Sequence, residues 1–287
     1  PAAVVQAPGL TANDDPIVQF NRRVATKLVG HDFHECITYT LRPEKEVATW
    51  ASQTAAAELR LSNPFIEDQS HLRPTLMLGL LESLRLNQSR GVAVSRLFEV
   101  GRIFVERNGQ NLECAAVAFI IAEDQERRWK QRESADFYTA KKLTAELAAA
   151  AGIDFTRQPL GPVKGNEMGW QADHSCSAGD LQHGWMAHCG LLNLAMVKSM
   201  GIEGKIYGGL FAILPEKVTA ESTRLCYTPF GLFPAALRDL ALVVEAHTPA
   251  DEVRKLLAKI ARAAVGNVFA LENVQIAGQL CKNPIPA

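Results

Sequence analysis

Five residues close together in the sequence, His174, Cys176, His183, His188 and Cys189, are of the types that bind zinc. Their spacing matches no standard zinc pattern, and adjacent His188 and Cys189 would point to opposite faces of a strand. The competing reading is buried cysteine beside surface histidine. His31-Asp32-Phe33-His34-Glu35 also gathers ligand types, but not with the HExxH spacing that sets two histidines on one helical turn. Gly165, Gly169, Gly208 and Gly209 lack the strand–turn–helix context and the lysine of a phosphate loop. No GxSxG nucleophile elbow occurs. Nucleotide hydrolysis and acyl transfer therefore have no visible apparatus. Arg254, Lys255, Lys259 and Arg262 fall on one predicted helix, where positions 255, 259 and 262 share a face. They either contact phosphates or form a solvated face opposite an apolar stripe.

The elements that position these groups are organised around residues 72–105. Arg73-Pro74 is expected to open a helix, with proline in the first turn. Leu76, Met77, Leu80, Leu81 and Leu84 recur at helical spacing, and Gly91 ends the run. The stripe is wide enough for either deep burial or a subunit contact. Ser95 to Val105 reads as a strand. Leu97, Glu99, Gly101 and Ile103 share one face; Arg96, Phe98, Val100, Arg102 and Phe104 share the other. Charge on both faces means a salt-bridged part of a sheet or the floor of a polar site. Arg73 is a candidate anchor for the junction before the helix.

Upstream, Asp15-Pro16 caps and starts a helix with Ile17, Phe20, Val24 and Leu28 on its apolar side. His34 to Leu41 reads as a strand, and Leu59 to Leu61 as a short one. Downstream, Asn108-Gly109 turns into an apolar strand, Leu112 to Ala122. Asp136 caps a helix reaching Ala151. Trp170–Cys176 and Gly184–Leu192 read as strands joined near residues 178–180. Asn193 caps a short helix, and Ile206 to Ile213 is a further strand. Helices framing a largely antiparallel sheet make an α+β pattern. After residues 214–229, Arg238–Glu245 and Val268–Ile276 read as strands around a helix. Its Thr248-Pro249 start is followed by a stripe of Val253, Leu256, Leu257 and Ile260. This is one βαβ half of a ferredoxin-like fold, and the chain is expected to stop before that domain is complete.

The 287 residues suffice for one large or two ordinary domains. With 47% hydrophobic and 21% charged residues the composition is that of a soluble globular protein. A net charge of −1 gives no global field to draw in nucleic acid, so any RNA contact must come from a local patch. The six cysteines are scattered without a CxxC pair, which suits reduced thiols in a cytoplasmic setting. No signal peptide and no membrane span is expected.

Several stretches resemble, in order, the bacterial phenylalanyl-tRNA synthetase β subunit. LRPTLMLGLLESLRLNQSR followed by RLFEVGRIF is similar to that family's LRPSLLPGLLEALxxNxxR and LFExGxxF. HECITYTL resembles QEVITYSF, LSNPFIEDQSHLRP resembles LxNPxxxxxSxLRP, and Asp136-Phe137-Tyr138 with Lys141 resembles a DFFDLKG helix start. Gly190-Leu191-Leu192-Asn193 is similar to GxLHP, and Phe233-Pro234-Ala235 with Arg238-Asp239-Leu240-Ala241 to FPAVRRDLA. The resemblance implies an N-terminal loop (1–16) and a non-catalytic class II synthetase-like module (17–213). A linker (214–228) and a partial ferredoxin-like anticodon-binding domain (229–287) would follow.

It further implies assembly with an α subunit as an (αβ)₂ heterotetramer in the cytoplasm, with ATP and magnesium used by the assembled enzyme for attaching phenylalanine to tRNA. No cofactor is expected in this chain. On this reading Leu76, Leu80, Leu84, Phe20 and Val24 supply the α-subunit interface, and Arg238, Lys255, Lys259 and Arg262 contact tRNA. There are departures: the family's His-Pro-Gly-Arg-Ser-Ala run becomes His174-Ser175-Cys176-Ser177-Ala178, and the first arginine of its Arg-Arg-Asp is Leu237. The GxGxGxxR motif, whose arginine clamps ATP, is missing. Two other readings stand beside this one: a stand-alone α+β metal-binding enzyme using the His174–Cys189 cluster, and a paralogous interaction module without a tRNA role.

Overall fold

Asp15 sets the first helix in place. Its carboxylate accepts the N–H of Ile17 at 2.8 Å, and Pro16 occupies the first turn, where a missing N–H costs nothing. The structure is a computed structural model. It describes residues 15–92, 95–107, 109–122, 135–155, 158, 160–163, 169–218, 236–245, 248–265, 271 and 274–276. The chain divides into two compact units, Pro1–Ser222 and Thr223–Ala287.

The elements of the first unit are, in order, α1 (Pro16–Val29), β1 (His34–Glu35), β2 (Leu41–Arg42), α2 (Glu44–Val47), α3 (Gln53–Glu58), β3 (His71–Leu72) and α4 (Met77–Ser89). Then follow β4 (Ser95–Arg107), β5 (Gln110–Ala122), α5 (Phe137–Ala149), β6 (Gly161–Pro162), β7 (Trp170–Asp180), β8 (Trp185–Leu192), α6 (Leu194–Ser199) and β9 (Ile206–Ile213). Seven strands form one sheet in the order β1-β4-β5-β9-β8-β7-β6. Only β1 runs parallel to its neighbour. β2 and β3 make a small separate ladder.

The sheet is covered on both faces. Phe20, Val24 and Leu28 of α1 and Ala140, Leu143 and Leu147 of α5 pack on Phe98, Val117, Phe119 and Phe211. Met77, Leu80, Leu81 and Leu84 of α4 pack on the opposite face, against Leu97, Ile103, Ala116, Ala118 and Ile120. Strand alternation thus divides β4 and β5 between two cores. Each fully buried side chain of this size contributes about 1.5–3 kcal/mol. Asp136 and Asn193 cap α5 and α6 as their sequences predict, accepting from Thr139 N–H (2.8 Å) and Met196 N–H (3.0 Å).

Several expectations need correction. The strand read over His34–Leu41 keeps only His34 and Glu35 in the main sheet, and Leu41 falls in the separate β2–β3 ladder. After Cys36 N–H donates to Phe98 O, the N–H of Thr38 turns to the Glu99 carboxylate instead of a strand, so the ladder ends. Arg73-Pro74 does not open α4, which begins at Met77. Arg73 N–H donates to Thr40 O, and Phe104 N–H donates to Arg73 O. This holds the residue before proline out of the helix, as its sterics favour. Leu59–Leu61 supplies a single bridge, Arg60 to His71. The β7–β8 turn falls at residues 181–184, where Gly184 takes φ 99°, rather than near residue 178.

In the second unit the expected helix is present as α7 (Ala250–Val265). Its stripe is not buried, since Leu256 and Ile260 are 57% and 56% exposed. Residues 238–245 form no strand, and most of Val268–Ile276 lies outside the described residues. The α+β architecture stands; the ferredoxin-like part is not formed among the described residues.

Candidate functional site

Glu99 is buried on the α4 side of β4 and meets Arg73, whose side chain is also out of solvent. Arg73 Nη1 donates to Glu99 Oε1 at 2.7 Å, and Arg73 Nε donates to the Arg102 carbonyl at 2.8 Å. Thr38 completes the nest. Its hydroxyl donates to Glu99 Oε2 at 2.8 Å, and its N–H donates to Oε1 at 3.2 Å. Two glycines make the room: a Cβ on Gly101 would collide with the Arg73 guanidinium, and one on Gly79 of α4 with the Thr38 side chain. On the other face, Arg102 pairs with Glu113 across the hairpin, and Arg96 lies over the Phe33 ring at 5.9 Å. Glu99 and Arg102 of β4 are therefore salt-bridged, one to Arg73 beside the sheet and one to β5. Both Glu99 oxygens are engaged and shielded from water, so the nest positions segments and offers no acid or base to a substrate. Sequence reading found Arg73 and Glu99. It missed Thr38, Gly79 and Gly101, which a continuous-strand reading of HECITYTL and a plain helical stripe conceal.

The metal-enzyme reading fails on geometry. Cys176 and Cys189 lie opposite each other on β7 and β8, while His188 stacks on Trp170 at 5.9 Å. His174 and His183 are exposed. His31 is bonded to Glu146 at 3.0 Å, away from exposed His34. Among the described residues no three His, Cys, Asp or Glu side chains converge to hold a metal ion. Cys114, a β5 residue buried in the core on the α4 side, has its thiol pushed up to about 12 by burial, the state of a packing residue rather than a nucleophile.

Neither of two clefts among the described residues has the lining of an ATP site. The cleft on the α4 side of the sheet is about 270 Å³ and is walled by Trp50, Trp170, Met186 and Leu210, with Glu106 as its one charged residue. It offers no lysine or arginine to a triphosphate. The larger cleft, about 580 Å³, lies between α1 and α5. It carries Arg22, Arg23 and Lys27 but no aromatic ring for a base, and Arg23 donates to the Ala150 carbonyl.

The residues expected at a subunit interface are core residues. Leu76, Leu80, Leu84, Phe20 and Val24 are each 0% exposed, packed against the chain's own sheet. The wide α4 stripe thus means deep burial, because both faces of the sheet need a cover. Apolar surface appears instead just beyond β1: Ile37 is 92% and Tyr39 76% exposed, on either side of anchored Thr38. Their alternation was the available signal.

Of the candidate RNA contacts, Arg238 is exposed and donates to its neighbour's carbonyl at Leu237. On α7, Lys255 pairs with Asp251 at 2.7 Å, as does Arg254 at 2.6 Å. These two partners hold the Asp251 carboxyl below its usual range. Lys259 and Arg262 are exposed on the same helix. Lys255, Lys259 and Arg262 are thus together on α7, whereas Arg238 belongs to a separate segment of that unit.

Comparison with known proteins gives a consistent family. The chain is 29% identical over 245 residues to the phenylalanine–tRNA ligase beta subunit of Novosphingobium aromaticivorans, covering 83% of this chain and 30% of that protein. It is 27% identical over 273 residues to the corresponding subunit of Geobacillus kaustophilus, covering 93% of this chain and 32% of that protein. The chain thus spans about a third of the length of these curated relatives. In fold it is similar to the pyrrolysyl tRNA synthetase of Desulfitobacterium hafniense, with a TM-score of 0.51 at 14% identity, over 68% of this chain and 66% of that one. The family model of the phenylalanyl tRNA synthetase beta chain CLM domain matches residues 1–208, most of the sequence, and the chain belongs to that family.

Proposed function

We propose that this chain is a non-catalytic part of a phenylalanine–tRNA ligase β subunit. It supports the ATP-dependent attachment of phenylalanine to tRNA by assembling with an α subunit and by contacting tRNA. The observation that carries the reading is the family match across residues 1–208, on a sheet like that of another tRNA synthetase. Relatives named beta subunits imply an α partner. The closed faces of the sheet and the cation-free cleft favour leaving ATP, magnesium and phenylalanine chemistry to that partner, in an (αβ)₂ assembly. Residues 214–228 then act as linker, and residues from 229 begin an anticodon-binding domain that offers Arg238, Lys255, Lys259 and Arg262 to tRNA. No helix among the described residues is long and apolar enough to cross a membrane.

Ile37 and Tyr39 take over the interface role from the α1 and α4 stripes. They are exposed and apolar, and Thr38 between them is tied into the Arg73–Glu99 nest, so the pair is held rigidly before any partner arrives. Gel filtration of the chain with the α subunit from the same genome tests this. Co-elution is expected, and it should be lost on Ile37→Glu with Tyr39→Glu while circular dichroism and thermal midpoint are kept. Separation of the folded wild-type chain from α would overturn the assembly reading, and retained co-elution of the double variant would overturn the surface.

A further inference from the structure

Cys176 and Cys189 are thirteen residues apart across a turn in the sequence, yet they are direct register partners on β7 and β8. Their sulfurs lie 3.2 Å apart, with Cys176 5% and Cys189 0% exposed. We propose that this pair is a thiol modification site, closing reversibly to an intramolecular disulfide when the chain meets a hydroperoxide.

The two sulfurs already touch, so closing the bond requires only a short approach along the existing contact. Cys114 belongs to the core on the other face of the sheet, and Cys36 packs against that same core, so neither competes. The two thiols are also unequal. The hydrogen bond from Cys189 draws the Cys176 thiol below its ordinary value against burial, with Lys141 of α5 adding to the effect. The same hydrogen bond, and then burial, pushes Cys189 up. Cys176 is thus the attacking sulfur and Cys189 the resolving one.

Access comes from the sheet edge. Among the described residues the outer neighbour of β7 is β6, two residues long, with Pro162 opposite Cys176. Proline gives no N–H to the ladder, and the next residue holds on by a Val163 N–H to Ser175 O bond of 3.2 Å, so this short cover is the part of the sheet edge where local opening would expose Cys176. A register shift between Trp170 and Ser175 interrupts the β7–β8 ladder immediately before the cysteine. The Cys176 thiolate attacks the peroxide, the O–O bond breaks, and an alcohol (water, for hydrogen peroxide) leaves. The sulfenic acid on Cys176 is then attacked by Cys189 sulfur, and water leaves as the S–S bond forms. Two thiols lose two electrons and two protons in all, and the peroxide is reduced.

The test uses the full chain with hydrogen peroxide as probe, followed by acid quench, alkylation in denaturant and peptide mass spectrometry. The peptides carrying Cys176 and Cys189 should be recovered joined, lighter by two hydrogens, and separated again by dithiothreitol. The oxidised chain should melt at a higher temperature than the reduced one. In Cys189→Ser the join and the melting shift should vanish, with Cys176 trapped as sulfenic acid by dimedone. Recovery of both cysteines alkylated from folded, peroxide-treated wild-type chain would overturn the proposal, even if the serine variant failed to fold. So would linkage of Cys176 to any other cysteine.

Discussion

Removing a guanidinium and a carboxylate from water costs several kcal/mol for each ion, and mutual attraction offsets this only when the remaining donors and acceptors are also satisfied. Arg73 and Glu99 meet that condition through Thr38 and the Arg102 carbonyl. The arrangement is therefore fragile to one-sided change. Glu99→Leu leaves a buried guanidinium unpaired and should destabilise the first unit by about 3–5 kcal/mol. Glu99→Leu combined with Arg73→Met should recover most of that loss. Urea unfolding of the two variants and of Arg73→Met closes a double-mutant cycle. A Glu99→Leu cost below about 1 kcal/mol, the worth of a surface pair, would contradict the buried pairing.

At the scale of elements, α4 reaches the sheet through its glycine. Gly79 faces Thr38 so closely that a single methyl group collides, and the helix must then lift or Thr38 must leave Glu99. Gly79→Ala raises intrinsic helix propensity and should still destabilise by about 1–3 kcal/mol, because overpacking outweighs propensity. Thermal or urea unfolding decides it, and a stabilised variant would show that the helix is free to shift.

The same contacts explain what the sequence could tell. Helices with a side-chain cap and a narrow stripe, such as α1 and α5, were legible, because capping and periodicity are local. So were β4, β5, β8 and β9, whose runs are long and bounded by turns. His34–Leu41 was not, because the Glu99 carboxylate that takes the Thr38 N–H lies sixty-one residues away. Leu80 and Phe20, expected at an interface, lie in the chain's own cores for a related reason: a stripe reports an apolar environment without saying whether it is the chain's own sheet or another subunit. The cysteine pair was hidden by its spacing, since only strand register brings Cys176 to Cys189.

At the scale of the whole molecule, the two units differ in kind. The first has a filled core on each face of its sheet and a small third one around Val47, Ala56 and Leu59; the second is described chiefly by one amphipathic helix with exposed Leu256 and Ile260. With a net charge of −1 the chain has no general attraction for RNA, so the proposed tRNA contact rests on a few local charges. Lys259→Ala and Arg262→Ala should each lower the dependence of log affinity on log salt by about 0.7–0.9, the value for one phosphate contact. Titration of the α-bound chain with tRNA across a salt series measures this. Unchanged slopes in both variants would remove α7 from the RNA surface.

Arg73 also does something for β4 that concerns neither charge nor partner. β1 covers that strand's outer side for only two residues. Further along, the Arg102 carbonyl is taken by the Arg73 side chain and the Phe104 N–H by the Arg73 carbonyl. One residue thus stands in for a missing strand and leaves fewer open backbone groups for a second chain to pair with. Protection against edge-to-edge polymerisation is therefore built into the chain itself, available from the moment it folds.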